Sequence, residues 1–184
     1  MTKVYLKVPS KNELHFRQKW MQDKETMSYN AGYDMDLKGY DKETGIIVKT
    51  DEKMLEWFNN WIGKEPDKYF AYVFDKKVDE PVGEVYYYPN EGIHSMGIVI
   101  YSKFRGKDYS YYALIELEKV AFEKNGINEL SDIVPLDRDR AIDAFKRAGF
   151  IHTDKSIVEK KFGKETAAQE LLITKEMYNK KLDK

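Results

Sequence analysis

The feature that most constrains this chain is the stretch from Ile93 to Lys124. Ile93-His94-Ser95-Met96-Gly97-Ile98-Val99-Ile100-Tyr101 is a β-branched apolar run and predicts a strand. Ser102 to Ser110 is basic, contains Gly106 and has no periodicity, so it reads as a loop. From Tyr111 onward, Ala113, Leu114, Leu117, Val120 and Ala121 recur at helical spacing, with Glu116, Glu118, Lys119, Glu123 and Lys124 mostly opposite. Asn125-Gly126 stops that helix. A strand that enters a helix through such a loop aims free backbone N–H groups and the positive end of the helix dipole at one point, which suits a phosphate. By itself it is also simply one βα unit of an α/β domain.

The rest of the chain supplies a sheet around this unit. Val4 to Val8 alternates and stops at Pro9, predicting a first strand. Ser10 is an N-cap with Glu13 placed for a capping box, and Leu14, Phe16, Arg17, Trp20 and Met21 give an amphipathic helix. From Asp23 to Thr44 periodicity fails, and Met27 to Tyr40 mixes tyrosines, acids and glycines. Loops of that length in a compact domain are functional or disordered, and the aromatics speak against disorder. One reading is a substrate-facing lid, with Asp34 or Asp36 attracting an ammonium and Tyr29 and Tyr33 stacking on a cation. The other is a surface loop packed on its own domain.

Asp51 is read as the cap of a further helix, with Met54, Leu55, Trp57, Phe58, Trp61 and Ile62 on its apolar side and Gly63 and Pro66 at its end. Both tryptophans read as core. Tyr69 to Phe74, Pro81 to Tyr88 and the strand through Ile98 to Ile100 have short connections and predict an antiparallel meander, the second strand breaking at Pro89-Asn90. The helix after Tyr101 and the strand from Glu129 to Val134 predict a right-handed parallel crossover. Asp137 is read as the N-cap of a helix that buries Ala141, Ile142, Phe145 and Ala148 and ends at Gly149. Phe150 to Lys161 and Thr166 to Thr174 form a hairpin, and Glu176 to Lys184 reads as a polar tail. The order β-α-α-β-β-β-α-β-α-β-β is that of a mixed-sheet α/β domain.

Composition narrows the function classes. The 184 residues suit one domain over 1–184. A net charge of −1 with acids and bases well mixed shows no basic excess for nucleic acid, and no basic amphipathic stretch faces a membrane. Cysteine is absent, which removes disulfides, thiolate metal sites and a Cys nucleophile. With no leader-like or spanning apolar segment, the expected location is cytoplasmic.

Two segments carry a resemblance. Arg105-Gly106-Lys107-Asp108-Tyr109-Ser110 resembles the acyl-CoA-binding signature of the GNAT superfamily of N-acetyltransferases, and Arg140 to Phe150 is similar to that superfamily's later motif, a helix ending in Gly-Phe. Their order and spacing also match. The resemblance implies a GNAT-like mixed, splayed β-sheet flanked by helices on both faces. It implies acetyl-CoA as co-substrate, with no metal, and a pantetheine arm bound along the main chain of Ile98, Val99, Ile100 and Tyr101. It further implies a pyrophosphate on the N–H groups of Arg105 to Ser110, with Arg138 and Phe145 at positions that line the cofactor in the family.

Acetyl transfer to an amine needs a donor for the carbonyl oxygen and a base for the amine proton. His94, at the start of the central strand, is one candidate base, since its pKa near 6.5 suits the task. Its alternative is an ordinary strand-edge histidine. Glu84 and Asp132 are the other candidates. The chain departs from the family pattern at Asp108 and Ser110, where small residues are usual, and at Phe145, where a tyrosine acid is usual. Asp108 reads instead as an N-cap whose carboxylate takes a helix N–H and competes with phosphate. The expected function is acetyl transfer, by direct attack in a ternary complex, to a primary amine of a small cationic acceptor, polyamine-like or aminoglycoside-like. A protein N-terminus is the other acceptor class. The departures motivate the alternative, a degenerate CoA-binding or sensor protein without turnover. The expected partner is therefore a small-molecule amine, with no nucleic acid and no membrane; a homodimer is compatible with all of this.

Overall fold

The computed structural model describes residues 2–183. Seven strands form one sheet: β1 (Val4–Lys7), β2 (Tyr69–Asp75), β3 (Glu80–Asn90), β4 (Ile93–Ile100), β5 (Glu129–Pro135), β6 (Ile151–Lys161) and β7 (Lys164–Thr174). Their spatial order is β1-β2-β3-β4-β5-β7-β6. All neighbours are antiparallel except β4 and β5, which are parallel. The helices are α1 (Leu14–Met21), α2 (Lys24–Met27), α3 (Asp51–Trp61), α4 (Tyr109–Lys119), α5 (Asp139–Ala148) and α6 (Lys175–Leu182). No helix among the described residues is long and apolar enough to cross a membrane.

The sheet carries a core on each face, which is why β2 reads Tyr-Phe-Ala-Tyr-Val-Phe-Asp with every residue buried rather than alternating. On one face Leu114, Leu117 and Phe122, with Phe145 and Tyr178, cover Val85, Tyr87 and Met96. On the other, Leu14, Trp20, Met54 and Trp57 cover Phe70, Tyr72 and Phe74. Alternation along β3 therefore sends Val85 and Tyr87 to the first face and Glu84 and Tyr86 to the second.

The parallel seam is short. β4 and β5 pair at His94–Leu130 and Ser95–Ser131 and then part. From Met96 to Ile100 the β5-facing backbone edge of β4 has no strand partner, while its other edge stays bonded to β3. The expected mixed sheet, splayed at its centre with helices on both faces, is what the chain forms.

Several local expectations are corrected. The helix after the basic loop begins at Tyr109 and continues past Lys119 as a π segment, Val120–Lys124. Thr50, not Asp51, caps α3, because the Thr hydroxyl accepts from the Lys53 N–H, and Leu55 is exposed. β3 runs on through Pro89-Asn90 to a two-residue turn at Glu91 and Gly92, both at positive φ. Arg138, not Asp137, is the N-cap residue of α5, while Gly149 ends it at φ 107° as expected. The expected polar tail is helical over Lys175–Leu182, with Lys184 outside the described residues: Thr174 caps α6, and Tyr178 is buried against Phe122. Glu118, fully buried in α4, accepts from Lys181 of α6, which also donates to the Ala148 carbonyl at 2.8 Å. Periodicity missed α6 because one aromatic ring and one buried ion pair hold it, not an apolar stripe.

Candidate active site

Where β4 and β5 separate, the sheet opens into a cavity of about 1040 Å³. That is at the upper end for ligand pockets. Its floor is Met96 to Ile100 of β4 and Asp132 to Pro135 of β5. Its lining includes Arg105, Gly106 and Ser110 at the start of α4 and Ala144 and Phe145 of α5. It also includes Tyr29, Asn30, Tyr33, Asp34 and Met35, Asp137 to Arg140, and Glu159-Lys160 of β6.

The loop into α4 is built to expose donors. Gly106 takes φ 75° and Asp108 takes φ 60°, so the chain winds tightly into the first helical turn. The backbone N–H groups of Gly106, Lys107 and Asp108 donate to no carbonyl among the described residues. Together with the first-turn N–H groups of α4 they form a concave set of free donors. The left-handed conformation at 108 explains why glycine suits that position, and aspartate is among the residues that tolerate it. The expected N-cap hydrogen bond from Asp108 is absent, because its carboxylate turns sideways to Arg147 of α5 at 2.8 Å. That guanidinium holds the Asp108 carboxyl below its usual range, and the carboxylate does not compete for the helix N–H groups.

Arg105 does not offer a free guanidinium to the loop. It donates to the carbonyls of Ile100 (3.3 Å), Glu25 (3.0 Å) and Thr26 (2.7 Å). Ser102 adds bonds to the Thr26 hydroxyl (2.9 Å) and the Asp23 carboxylate (3.0 Å). The basic loop is thus stitched to α2, a helical turn within the segment that sequence periodicity left as loop. Tyr109 is buried with its hydroxyl on Asp75, and Lys107 stands off the cavity over Phe104. Neither residue lines the cavity. Tyr101 donates its N–H to the Val82 carbonyl of β3 at 2.9 Å, which extends the β3–β4 pairing one residue past Ile100.

The segment from Met27 to Tyr40, one reading of which is a lid, is tied down by hydrogen bonds. Tyr33 pairs with Lys161 at the tip of β6, and the Phe162 N–H donates to the Gly32 carbonyl at 2.7 Å. The Tyr40 hydroxyl donates to the carbonyls of Asn30 (2.6 Å) and Tyr33 (3.0 Å). Across the cavity Arg138 donates to the Tyr29 carbonyl at 2.7 Å and lies against the Tyr29 ring. Tyr29, Tyr33 and Asp34 line the cavity; Asp36 is exposed outside it.

Of the three candidate bases the structure brings one to the cavity. Asp132 lines it where β5 leaves β4, and burial pushes its carboxyl up to about 7, partly offset by the Ile133 N–H and by Arg138. Glu84 lies under α1, 3.2 Å from the Arg17 guanidinium, which itself packs on the Trp57 ring. Burial raises the Glu84 carboxyl despite that partner, and it does not line the cavity. His94 sits before the strands part, edge-on to Tyr87, and burial lowers its pKa. It too lies outside the cavity lining. Sequence reasoning overlooked Tyr86, Gly97, Asp139, Arg140, Glu159 and Lys160. Gly97 had a signal, since a glycine inside a β-branched run marks a close approach of another group. The others come together only through the fold.

The comparisons with known proteins agree with this geometry. A family model described as an acetyltransferase (GNAT) domain matches residues 6–151. A sequence search finds no matching curated protein. Among solved structures, a spermidine N-acetyltransferase from Vibrio cholerae in complex with CoA and spermine superposes with a TM-score of 0.76 at 15% identity, covering 96% of this chain and 98% of that one. A GNAT-family acetyltransferase from Bacillus anthracis superposes with a TM-score of 0.71 at 13% identity, covering 95% of this chain and 96% of that one. At such identities the likeness is one of fold.

Proposed function

The chain belongs to the GNAT acetyltransferase family, and on that premise we propose that it acts as one domain over 1–184 to transfer the acetyl group of acetyl-CoA to a primary amine of a small cationic acceptor. The observation that carries the reading is Asp132, a carboxyl held near neutrality at the point where the sheet opens. A base of that pKa is matched to taking the proton of an attacking amine.

The residues present fit acetyl-CoA. The β5-facing edge of β4 from Met96 to Ile100 has no strand partner and, apart from the Ile100 carbonyl that accepts from Arg105, offers main-chain groups to a pantetheine arm; one of its N–H groups would donate to the thioester oxygen. Gly106 to Ser110 offer free N–H groups and the positive end of α4 to the pyrophosphate. Bound there, acetyl-CoA supplies an activated acyl carbon. Phe145 closes the wall beside it without a proton to give.

Asp34, Asp132, Asp137, Asp139 and Glu159 line the cavity among Arg105, Arg138, Arg140 and Lys160, and these acids with the Tyr29 and Tyr33 rings offer places for the positive charge of an acceptor. The Vibrio cholerae structure with CoA and spermine supports a polyamine-like acceptor as the first to try. A single cavity lined both by the start of α4 and by the Tyr29 to Met35 segment supports direct attack within a ternary complex.

The test is calorimetric titration with acetyl-CoA, then thiol release over a panel of polyamines, aminoglycosides and a peptide N-terminus. Binding with thiol release for a polyamine is expected. Binding without thiol release for any amine would instead support a CoA sensor.

A further inference from the structure

Tyr86 of β3 stands directly opposite Gly97 of β4 in the sheet register. The hydroxyl end of the Tyr86 ring fills the space that a Cβ on Gly97 would need. Gly97 is two residues past Ser95, the last β4 residue paired with β5. The phenol therefore sits where the sheet begins to part, at the acyl end of the open β4 edge. Its ring is held by stacking on Phe70 (6.3 Å between centroids) and Tyr88 (6.4 Å), and by the edge of Trp61 (5.6 Å).

Four cavity-lining side chains carry a hydroxyl: Tyr29, Tyr33, Tyr86 and Ser110. Ser110 belongs to the start of α4, and Tyr33 is anchored by a backbone bridge to Lys161 of β6, its hydroxyl buried without a partner among the described residues. Tyr29 is on the lid, its carbonyl bonded to Arg138. Tyr86 alone projects from the sheet itself, beside the strand that would hold the thioester.

We propose that the Tyr86 hydroxyl donates a hydrogen bond to the sulfur of the thioester as its C–S bond breaks. The inference rests on the acyl-transfer reading above. In that step the amine nitrogen forms the C–N bond, its proton passes to the Asp132 carboxylate, and the C–S electron pair leaves on sulfur. Tyr86 keeps its proton throughout and stabilises the thiolate, which then takes a proton from solvent. A fixed donor aimed at developing charge in a water-poor site contributes about 10²–10³ in rate.

Tyr86→Phe keeps the ring and its contact with Gly97 and removes only the O–H group. Two measurements are made on the full chain: kcat and KM with acetyl-CoA and a polyamine, and the thiol pKa of bound CoA, read from thiolate ultraviolet absorbance. The expected result is a kcat about 10²-fold lower with KM little changed, and a bound thiol that titrates at higher pH in the variant. An unchanged kcat or an unchanged thiol titration overturns the assignment. Wild-type protein that binds CoA yet acetylates no amine overturns the acyl-transfer reading instead, and the thiol titration still decides the role of Tyr86.

Discussion

The guanidinium of Arg105 donates to the carbonyl oxygen of Thr26 at 2.7 Å. A residue that the signature motif assigns to the cofactor thereby fastens the donor loop to α2, the segment that begins the lid. Arg105→Ala is expected to lower stability by about 1–2 kcal/mol, the range for hydrogen bonds from a charged donor at a partly exposed site. Acetyl-CoA binding should weaken with it, because loop and α2 lose their common tie. Thermal denaturation beside a calorimetric titration checks both; weaker binding with unaltered melting would return Arg105 to a purely phosphate-facing role.

Asp132 carries the pH dependence. Burial raises its carboxyl to about 7, so the ionised, proton-accepting form gains population as pH rises through neutrality. The rate should climb across that range and level off above it. Asp132→Asn should lower kcat by about 10²–10⁴ and remove that inflection. The same shift has an opposite sign for folding. An acid whose folded pKa is raised stabilises the fold fully only below its unfolded value near 3.9, and that contribution is lost as pH rises towards 7. The Asn variant should therefore lose less stability between pH 5 and 8 than wild type does.

Gly106 has open space where a side chain would go, but its φ is 75°. Gly106→Val should strain the backbone by about 1–3 kcal/mol and turn the free N–H groups away from their common focus. A rise of about tenfold or more in the acetyl-CoA dissociation constant is expected. Titration with acetyl-CoA and with inorganic pyrophosphate checks it; equal affinities for wild type and variant would show that this turn does not hold the diphosphate.

The Glu118–Lys181 pair locks α6 onto α4. Glu118 is fully buried, and burial pushes its carboxyl up to about 7 even with Lys181 beside it. Lys181→Ala should cost about 3 kcal/mol, since it strands a buried carboxylate. The loss should be larger at pH 8 than at pH 5, where Glu118 can protonate. Denaturant unfolding at the two pH values reads the difference, and a pH-independent loss would mean that packing, not charge, holds α6.

Much of the candidate site is legible in the sequence. The strand over Ile93 to Ile100, the Gly106 turn and the helix after it are written locally, in β-branching, in a glycine where φ is positive, and in helical spacing. The hairpins and Gly149 follow from the same short-range chemistry. Binary pattern and turn residues act over a few positions, so one chain read in order contains them.

What no stretch of sequence contains is which side chains meet. Arg105 to Thr26, Asp108 to Arg147 and Glu118 to Lys181 join residues dozens of positions apart, and each changes what its first member does. Tyr86 was one of three consecutive tyrosines until pairing set it against Gly97 at the mouth of the gap. Asp132 resembled Glu84 as a candidate until β5 diverged from β4 and left one carboxyl on the cavity and the other under Arg17. Local propensity dictated the elements; burial, register and the early end of one parallel seam decided their chemistry, because desolvation and proximity exist only once the sheet has closed.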